Sequence, residues 1–499
     1  MPEHANPARR GIAARAALFA HATFAALLAY ALFCVFALNV DTADRRGEVL
    51  PAIAGVAGAL PVLVTLRLMR ARVAATARAL VAALDAVEPM RFALATLALG
   101  IALRVAFVLA FPPVQSSDGA SYLALATRLA AGEPYRAAGT LAYWPPGLPV
   151  GLLPWILALG ENRYVPLLHN LLLFVASSLA SARFATRLGG ATAGRVAMLA
   201  LAAWPNLVMD AGMASKEQQL VALVTLALAM YPQAGGARPA LWSGLALGAA
   251  ALTQPALLPA PLAFAAWQLL RGDGARRTAL RIALLCLGFV SAIAPWTIRN
   301  HMVLGGFVPV TSTAGFALYI ANNDRAWGGW IDILADGDAT LDPRIDERGA
   351  SREAGRRAVE WIRENPGRAA FLALRRQQLF LGDDSDGAFS ALKRGLGIAG
   401  PGYAAAKLVA LGFWLSLLAA LLFFLVAAWR GRRGALPRAA MLPLMLFAGL
   451  FALHSMVESG ARHHVALSGA LAALLGAWMT IAARRDALAA TLRRSDPPA

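Results

Sequence analysis

Charge is scarce in this chain. Of 499 residues only 15% are Asp, Glu, Lys or Arg, while 59% are hydrophobic; a soluble domain carries about 25% charged residues. That scarcity excludes a water-soluble globular protein and requires lipid as solvent. Cysteine is nearly absent. Cys34 and Cys286 both lie in apolar stretches, which excludes a disulfide framework or a cysteine-rich zinc site and leaves them as small apolar packing residues. Acidic residues are also few, 28 against 46 basic, for a net charge of +18. Nucleic-acid binders share such an excess, but here the arginines stand in short clusters between apolar runs, with no basic face or recognition motif. The arrangement is that of the positive-inside rule.

A membrane-spanning helix needs about 20 apolar residues. Apolar runs of suitable character cover about 16–40, 49–68, 92–111, 165–188, 196–209, 218–231, 241–253, 256–270, 282–298, 404–428, 439–453 and 465–482. The expected fold is all-α, a polytopic transmembrane bundle of about 12 spans. The first run is long for a signal peptide and lacks a convincing cleavage site, so it reads as an uncleaved span. Arg9, Arg10 and Arg15 before it, the 67–91 arginine cluster, the 430–438 cluster and Arg484, Arg485, Arg493 and Arg494 place both termini on the cytoplasmic side.

Two long polar segments, 112–163 and 300–400, are then expected outside. Within them 119–131, 356–365 and 371–380 read as short amphipathic helices, the last two lying on the membrane surface, and 148–159 as an interfacial or re-entrant helix. Four regions follow: 1–91, two transmembrane helices and a cytoplasmic loop; 92–298, a transmembrane core with the first outer loop; 299–400, the second extracytoplasmic segment; and 401–499, the last helices and a cytoplasmic tail.

Three motifs recur in order. Ser117-Asp118-Gly119-Ala120-Ser121-Tyr122 follows an early span, with Gly132-Glu133-Pro134-Tyr135 and Tyr143-Trp144-Pro145-Pro146-Gly147 after it. Ala294-Pro295-Trp296-Thr297-Ile298-Arg299-Asn300 leads to Gly305-Gly306-Phe307-Val308-Pro309-Val310. Arg462-His463-His464 precedes the last span. Across about residues 92–483 this resembles the GT-C superfamily of glycosyltransferases, nearest to the protein mannosyltransferase and aminoarabinose transferase relatives of family 39. The resemblance implies a polyprenyl-phosphate-sugar donor, an extracytoplasmic glycan, glycolipid or protein acceptor, and inversion at the anomeric carbon with Asp118 as base. It also departs from the pattern. Aminoarabinose transferases carry Glu-Lys before the double proline, where this chain has Tyr143 and Trp144, and an arginine three residues after the loop aspartate is replaced by Ser121. Both missing cations would contact the carrier phosphate.

The chemistry is spare in its needs. A hydroxyl attacking an anomeric carbon needs a carboxylate within about 3 Å to take its proton. The departing phosphate ester is already a stable anion, so cations rather than a second carboxyl must hold it. Asp118, just before a short helix, is the candidate base; a helix cap is its alternative. Lys216, Arg299, Arg462 and His463 are candidate phosphate contacts, against headgroup anchoring. Glu217 fits either the first turn of a helix or a substrate contact. Tyr122, Tyr143 and Trp144 fit either stacking on substrate or an interfacial aromatic belt.

No metal site or cofactor is expected, since adjacent histidines on a helix point apart. Asp383-Asp384-Ser385-Asp386-Gly387 lacks the calcium-loop ligand pattern and reads as a solvated loop, and His169 as a packing residue. The rival classes are a transporter or lipid flippase, for which the Gln254-Pro255 break has no counterpart in the other half, and a scaffold with a decayed enzyme fold.

Overall fold

The computed structural model describes residues 7–40, 49–231, 235–431 and 437–495. The protein is an all-α membrane bundle, and no strand occurs among the described residues. The helices before the first long loop are α1 (Pro7–Val40), α2 (Val49–Leu68), α3 (Arg70–Ala86) and α4 (Pro89–Ala110). That loop carries α5 (Ser117–Ala130) and α6 (Gly147–Leu159). Next come α7 (Val165–Gly189), α8 (Ala191–Ala202), α9 (Pro205–Met209), α10 (Lys216–Met230), α11 (Pro239–Thr253), α12 (Ala260–Arg271) and α13 (Ala275–Leu304). The second polar segment holds α14 (Ala314–Ala321), α15 (Glu347–Glu364), α16 (Pro366–Gly382) and α17 (Asp386–Ala388), the last running into a π-helical turn, Phe389–Gly395. The chain closes with α18 (Pro401–Gly431), α19 (Met441–Met456) and α20 (Ser468–Ser495).

Seven of these helices are long and apolar enough to cross a membrane, or eight if the bent pair α2–α3 is one span. The expected number was larger because several apolar runs form shorter helices, among them α8 and α11. Pro205 ends the predicted 196–209 span early and starts α9. The predicted loop after α2 is itself helical. Ala77, Val81 and Leu84 recur at helical spacing and are buried in α3, which packs on α20 and meets α2 at 69°. Arg432 and Arg433, used to orient the chain, lie outside the described residues.

Local chemistry sets the helix ends. Glu88 caps α4 by accepting from Met90 N (2.9 Å) and Arg91 N (2.6 Å), with Pro89 at the first helical position. Asp346 caps α15 through Gly349 N (2.8 Å), and the helix stops at Asn365 before Pro366.

The core centres on α20, whose apolar window is 94% buried, against 28% for α4 and α13. The last two instead expose Leu94, Leu109, Leu287 and Val290, faces suited to lipid. Buried Arg104 in α4 donates to the carbonyls of Leu201 (3.1 Å) and Ala202 (3.2 Å) at the end of α8, over the Phe174 ring. It thereby satisfies acceptors that lipid would leave bare. Arg376 of α16 does the same for Ala321 O (2.6 Å) and Ser455 O (2.9 Å). α16 does not float on the surface as expected. It packs on α1 and α19, with Leu372, Phe380 and Leu381 buried.

Helices α11 and α13 meet through glycines. A Cβ on Gly244 would strike the Leu285 carbonyl, and one on Gly288 the Leu241 carbonyl, the small-residue contact by which membrane helices approach closely. Gly288→Ile is therefore expected to destabilise the protein by about 1–3 kcal/mol. Gly412→Ile, where nothing lies within 4 Å, should melt like the wild type. Thermal unfolding in detergent compares the two.

Candidate active site

Asp118 sits in the first turn of α5, whose apolar side (Tyr122, Leu123, Ala126) packs on Leu148, Leu152 and Ile156 of α6. Ser117 before it adopts φ 52°, a left-handed conformation rare outside glycine and found at constrained functional sites. Gln115 explains the constraint. Its side-chain amide donates to Gly212 O (2.8 Å) and accepts from Ala214 N (2.9 Å), tying the start of α5 to the 210–215 loop. At Gly119 a Cβ would lie 3.3 Å from Ala214 O, so a small residue permits the approach. Asn170 holds the same loop by donating to Ala211 O (3.0 Å) and Met213 O (2.9 Å). Lys216 and Glu217, at the start of α10, are thus set beside Asp118.

A cavity with about 410 Å³ of open space joins Asp118, Tyr122, Lys216, Glu217 and Arg462, together with Asp386 and Arg394. Arg462 Nη1 lies 3.1 Å from Asp118 Oδ2, and both side chains are partly exposed to the cavity, 29% and 34%. Burial works to raise the Asp118 pKa, but the charges of Arg462 and Lys216 and the Arg462 hydrogen bond outweigh it and hold the carboxyl below its ordinary value. Burial opposes the charge on Arg462, yet Glu217, Asp118, Asp386 and Glu458 around it fix the guanidinium firmly in the cationic form. Lys216 is lowered by burial and by Arg462. Asp386 is pushed up to about 6 by burial, with Arg462 opposing and Glu217 adding to the rise. Asp210, buried beneath and accepting from the Ser215 hydroxyl, is raised by burial and by Glu217.

Other predicted residues lie elsewhere. Arg299 does not line this cavity. Its guanidinium donates to Leu141 O (2.6 Å) and Tyr135 O (2.8 Å) and stacks over Trp296 at 4.7 Å. Buried Glu347 takes Leu141 N (2.6 Å), Ala142 N (2.8 Å) and Ser312 Oγ (2.6 Å). The two residues clamp 135–142 to the second polar segment, so the cation found at a span end is engaged with backbone. His463 faces a separate small cavity behind Lys216, Glu217 and Arg462. Its ring stacks on His454 at 4.1 Å, and burial, then nearby positive charge, favours its neutral form. Tyr143 and Trp144 line a larger groove of about 960 Å³ with Phe316 and Trp330. Trp144 also meets Tyr122 edge-on at 5.4 Å, so aromatic rings connect the groove to the carboxylate. His169 is a buried packing residue that bonds Gln219 at 3.0 Å.

The 383–387 loop is not solvated, contrary to expectation. Asp384 is fully buried and accepts from Trp204 Nε1 (2.7 Å) and Asn206 Nδ2 (2.7 Å), with His464 Nε2 at 3.2 Å. Asn206 Oδ1 in turn takes Gly387 N at 2.6 Å. The acidic run looked water-loving because nothing local reveals donors nearly 180 residues away. Among the described residues no three His, Cys, Asp or Glu side chains are grouped to hold a metal ion.

No family model matches the chain, and no curated protein matches it. Among solved structures it is similar to the Archaeoglobus fulgidus oligosaccharyltransferase in complex with Zn and sulfate (TM-score 0.44, 15% identity, 77% of this chain and 48% of that one). It is also similar to ArnT from Cupriavidus metallidurans bound to undecaprenyl phosphate (0.42, 15%, 82% of each chain). A third is AglB from Archaeoglobus fulgidus in complex with an inhibitory peptide and a dolichol-phosphate (0.46, 13%, 82% and 52%). The chain spans about half the length of the two archaeal proteins.

Removing the Asp384 carboxylate strands three buried donors, each costing about 1–3 kcal/mol when unsatisfied. Asp384→Ala should lower the melting temperature sharply and Asp384→Asn less so. An alanine variant as stable as wild type would mean this carboxylate holds nothing together.

Proposed function

We propose that this chain is an integral membrane glycosyltransferase. It moves a monosaccharide from a polyprenyl-phosphate carrier to a hydroxyl of an extracytoplasmic glycan, glycolipid or protein. One observation carries the reading: Asp118, Lys216 and Arg462, the first and last 344 positions apart in the chain, line one cavity, the outer two 3.1 Å apart. The order of motifs along the chain supports the same chemistry.

Asp118 takes the proton as the acceptor oxygen bonds to the anomeric carbon. The bond from that carbon to the phosphate oxygen breaks, its electrons pass to the phosphate, and configuration inverts. Lys216 and Arg462 hold the growing negative charge. Asp118 paired with Arg462 is a weak base. A bound phosphate competes for the guanidinium, and each degree of loosening returns basicity to the carboxylate, so the donor itself prepares the base. Glu217 borders the sugar, and the acceptor approaches along Tyr143, Trp144 and Tyr122 from the aromatic groove.

Purified protein given radiolabelled polyprenyl-phosphate sugars and candidate acceptors should transfer label between molecules; label that merely crosses liposomes means a transporter. Asp118→Asn is expected to cut turnover by about 10²–10⁴-fold at unchanged protein level, and normal turnover in that variant would reject the base assignment. The pH dependence has a defined sign. Asp118, held below its usual value, stays charged through neutral and mildly acid conditions, so its loss of activity falls in strong acid. Asp386 gains its charge as pH rises through about 6, and a carboxylate beside the phosphate repels it. Donor KM should therefore rise across that range, and Asp386→Asn should flatten the rise.

A further inference from the structure

The cavity around Asp118 is lined by a third cation besides Lys216 and Arg462. We propose that Arg394, at the end of the π-helical turn Phe389–Gly395, binds the phosphate of the lipid carrier. This rests on the glycosyl-transfer reading.

Arg394 lines the same cavity as Asp118, Lys216 and Arg462. Its guanidinium leans on the Phe389 ring at 4.8 Å. It forms no ion pair among the described residues, and the side chain is exposed. Arg299, by contrast, is spent on backbone carbonyls, and Arg462 is shared with Asp118. Arg394 is thus a cation at the cavity wall with donors free to take an incoming anion.

Its placement is built into the backbone. The π-turn is a rare form that recurs at functional sites. It is anchored just before its start, in α17, where Gly387 N donates to Asn206 Oδ1 at 2.6 Å. At its end Gly395 lies so close to the extended segment before α5 that a Cβ would sit 2.9 Å from Val114 O. A larger residue there would push the turn away from the segment bearing Asp118. The turn is therefore pressed against the base-carrying loop, and Arg394 rides beside it.

Charge balance asks for this cation. Among the cavity's lining residues, Asp118, Glu217 and Asp386 face Lys216, Arg462 and Arg394. Without Arg394 the acids would outnumber the bases in a site that receives an anion. The need grows during reaction, because a sugar phosphodiester carries one negative charge and the released phosphate monoester about 1.5–2. A planar guanidinium suits that group's paired oxygens.

The test measures binding of polyprenyl phosphate itself, without sugar, to full-length protein in nanodiscs. Arg394→Ala should weaken binding about tenfold, and Arg394→Lys by less. Lys393→Ala, whose ammonium lies 5.3 Å from the Tyr403 ring, should bind like wild type. Equal affinity of Arg394→Ala and wild type would overturn the assignment while leaving the transferase reading intact, and would mark Arg394 as a headgroup anchor. Equal weakening in the Lys393 and Arg394 variants would also overturn it, as a general charge effect. A wild type that binds no polyprenyl phosphate would sink both readings together. Gly395→Val gives an independent check: it should weaken binding with the Arg394 side chain unaltered.

Discussion

The buried carboxylate of Asp384 is the contact on which the site's geometry depends. It is fully enclosed, and its oxygens receive Trp204 and Asn206 from the α8–α9 region and His464 from the turn before α20. Each of those segments delivers something to the cavity. The stretch after α9 leads to Lys216 and Glu217, the 386–395 segment carries Asp386 and Arg394, and the turn before α20 carries Arg462. A buried polar group is costly unless it is hydrogen-bonded. The three donors on Asp384 hold three distant parts of the chain in one relative arrangement. His464 adds to this by stacking on Trp414 at 4.4 Å.

A second set of contacts serves the first polar loop. Arg299 and Glu347 bind opposite polarities of one short stretch: the arginine takes carbonyls of Tyr135 and Leu141, the glutamate takes the amides of Leu141 and Ala142. The loop that ends in the aromatic groove is thereby fixed to the second polar segment. Loop backbone without strand or helix partners would otherwise leave its groups unpaired. Each of these polar residues satisfies backbone, which leaves Lys216 and Arg394 as cavity-lining cations with no ion pair among the described residues.

Much of the plan was legible in the order of residues. Membrane residence, the positions of most long helices and the amphipathic α5 followed from hydropathy and period, which are local properties. Asp118 became the candidate base through the resemblance of its loop motif, since its position before a short helix alone fits a helix cap, and Glu217 and Lys216 became candidates because they stand at the start of another helix. Asp384 and Asp386 did not. An acidic run followed by glycine looks like a solvated turn from the chain alone, and its burial is created by Trp204, Asn206 and His464. An apolar run tells of burial but not of whether protein or lipid buries it, and several such runs, 196–209 and 241–253 among them, fold as helices shorter than the seven or eight long enough to cross a membrane.

The sequence by itself determined the solvent, the helical class and the chemical types available: an aspartate in the loop after an early span, and a set of basic residues near other helix ends. Tertiary structure alone decided which of those bases shares water with that aspartate. Arg299 and Arg462 are alike in one dimension, each an arginine beside a span. They part because hydrogen bonding is short-ranged and competitive: the first finds the carbonyls of Tyr135 and Leu141 within reach and is consumed by them, while the second finds a carboxylate across an open cavity.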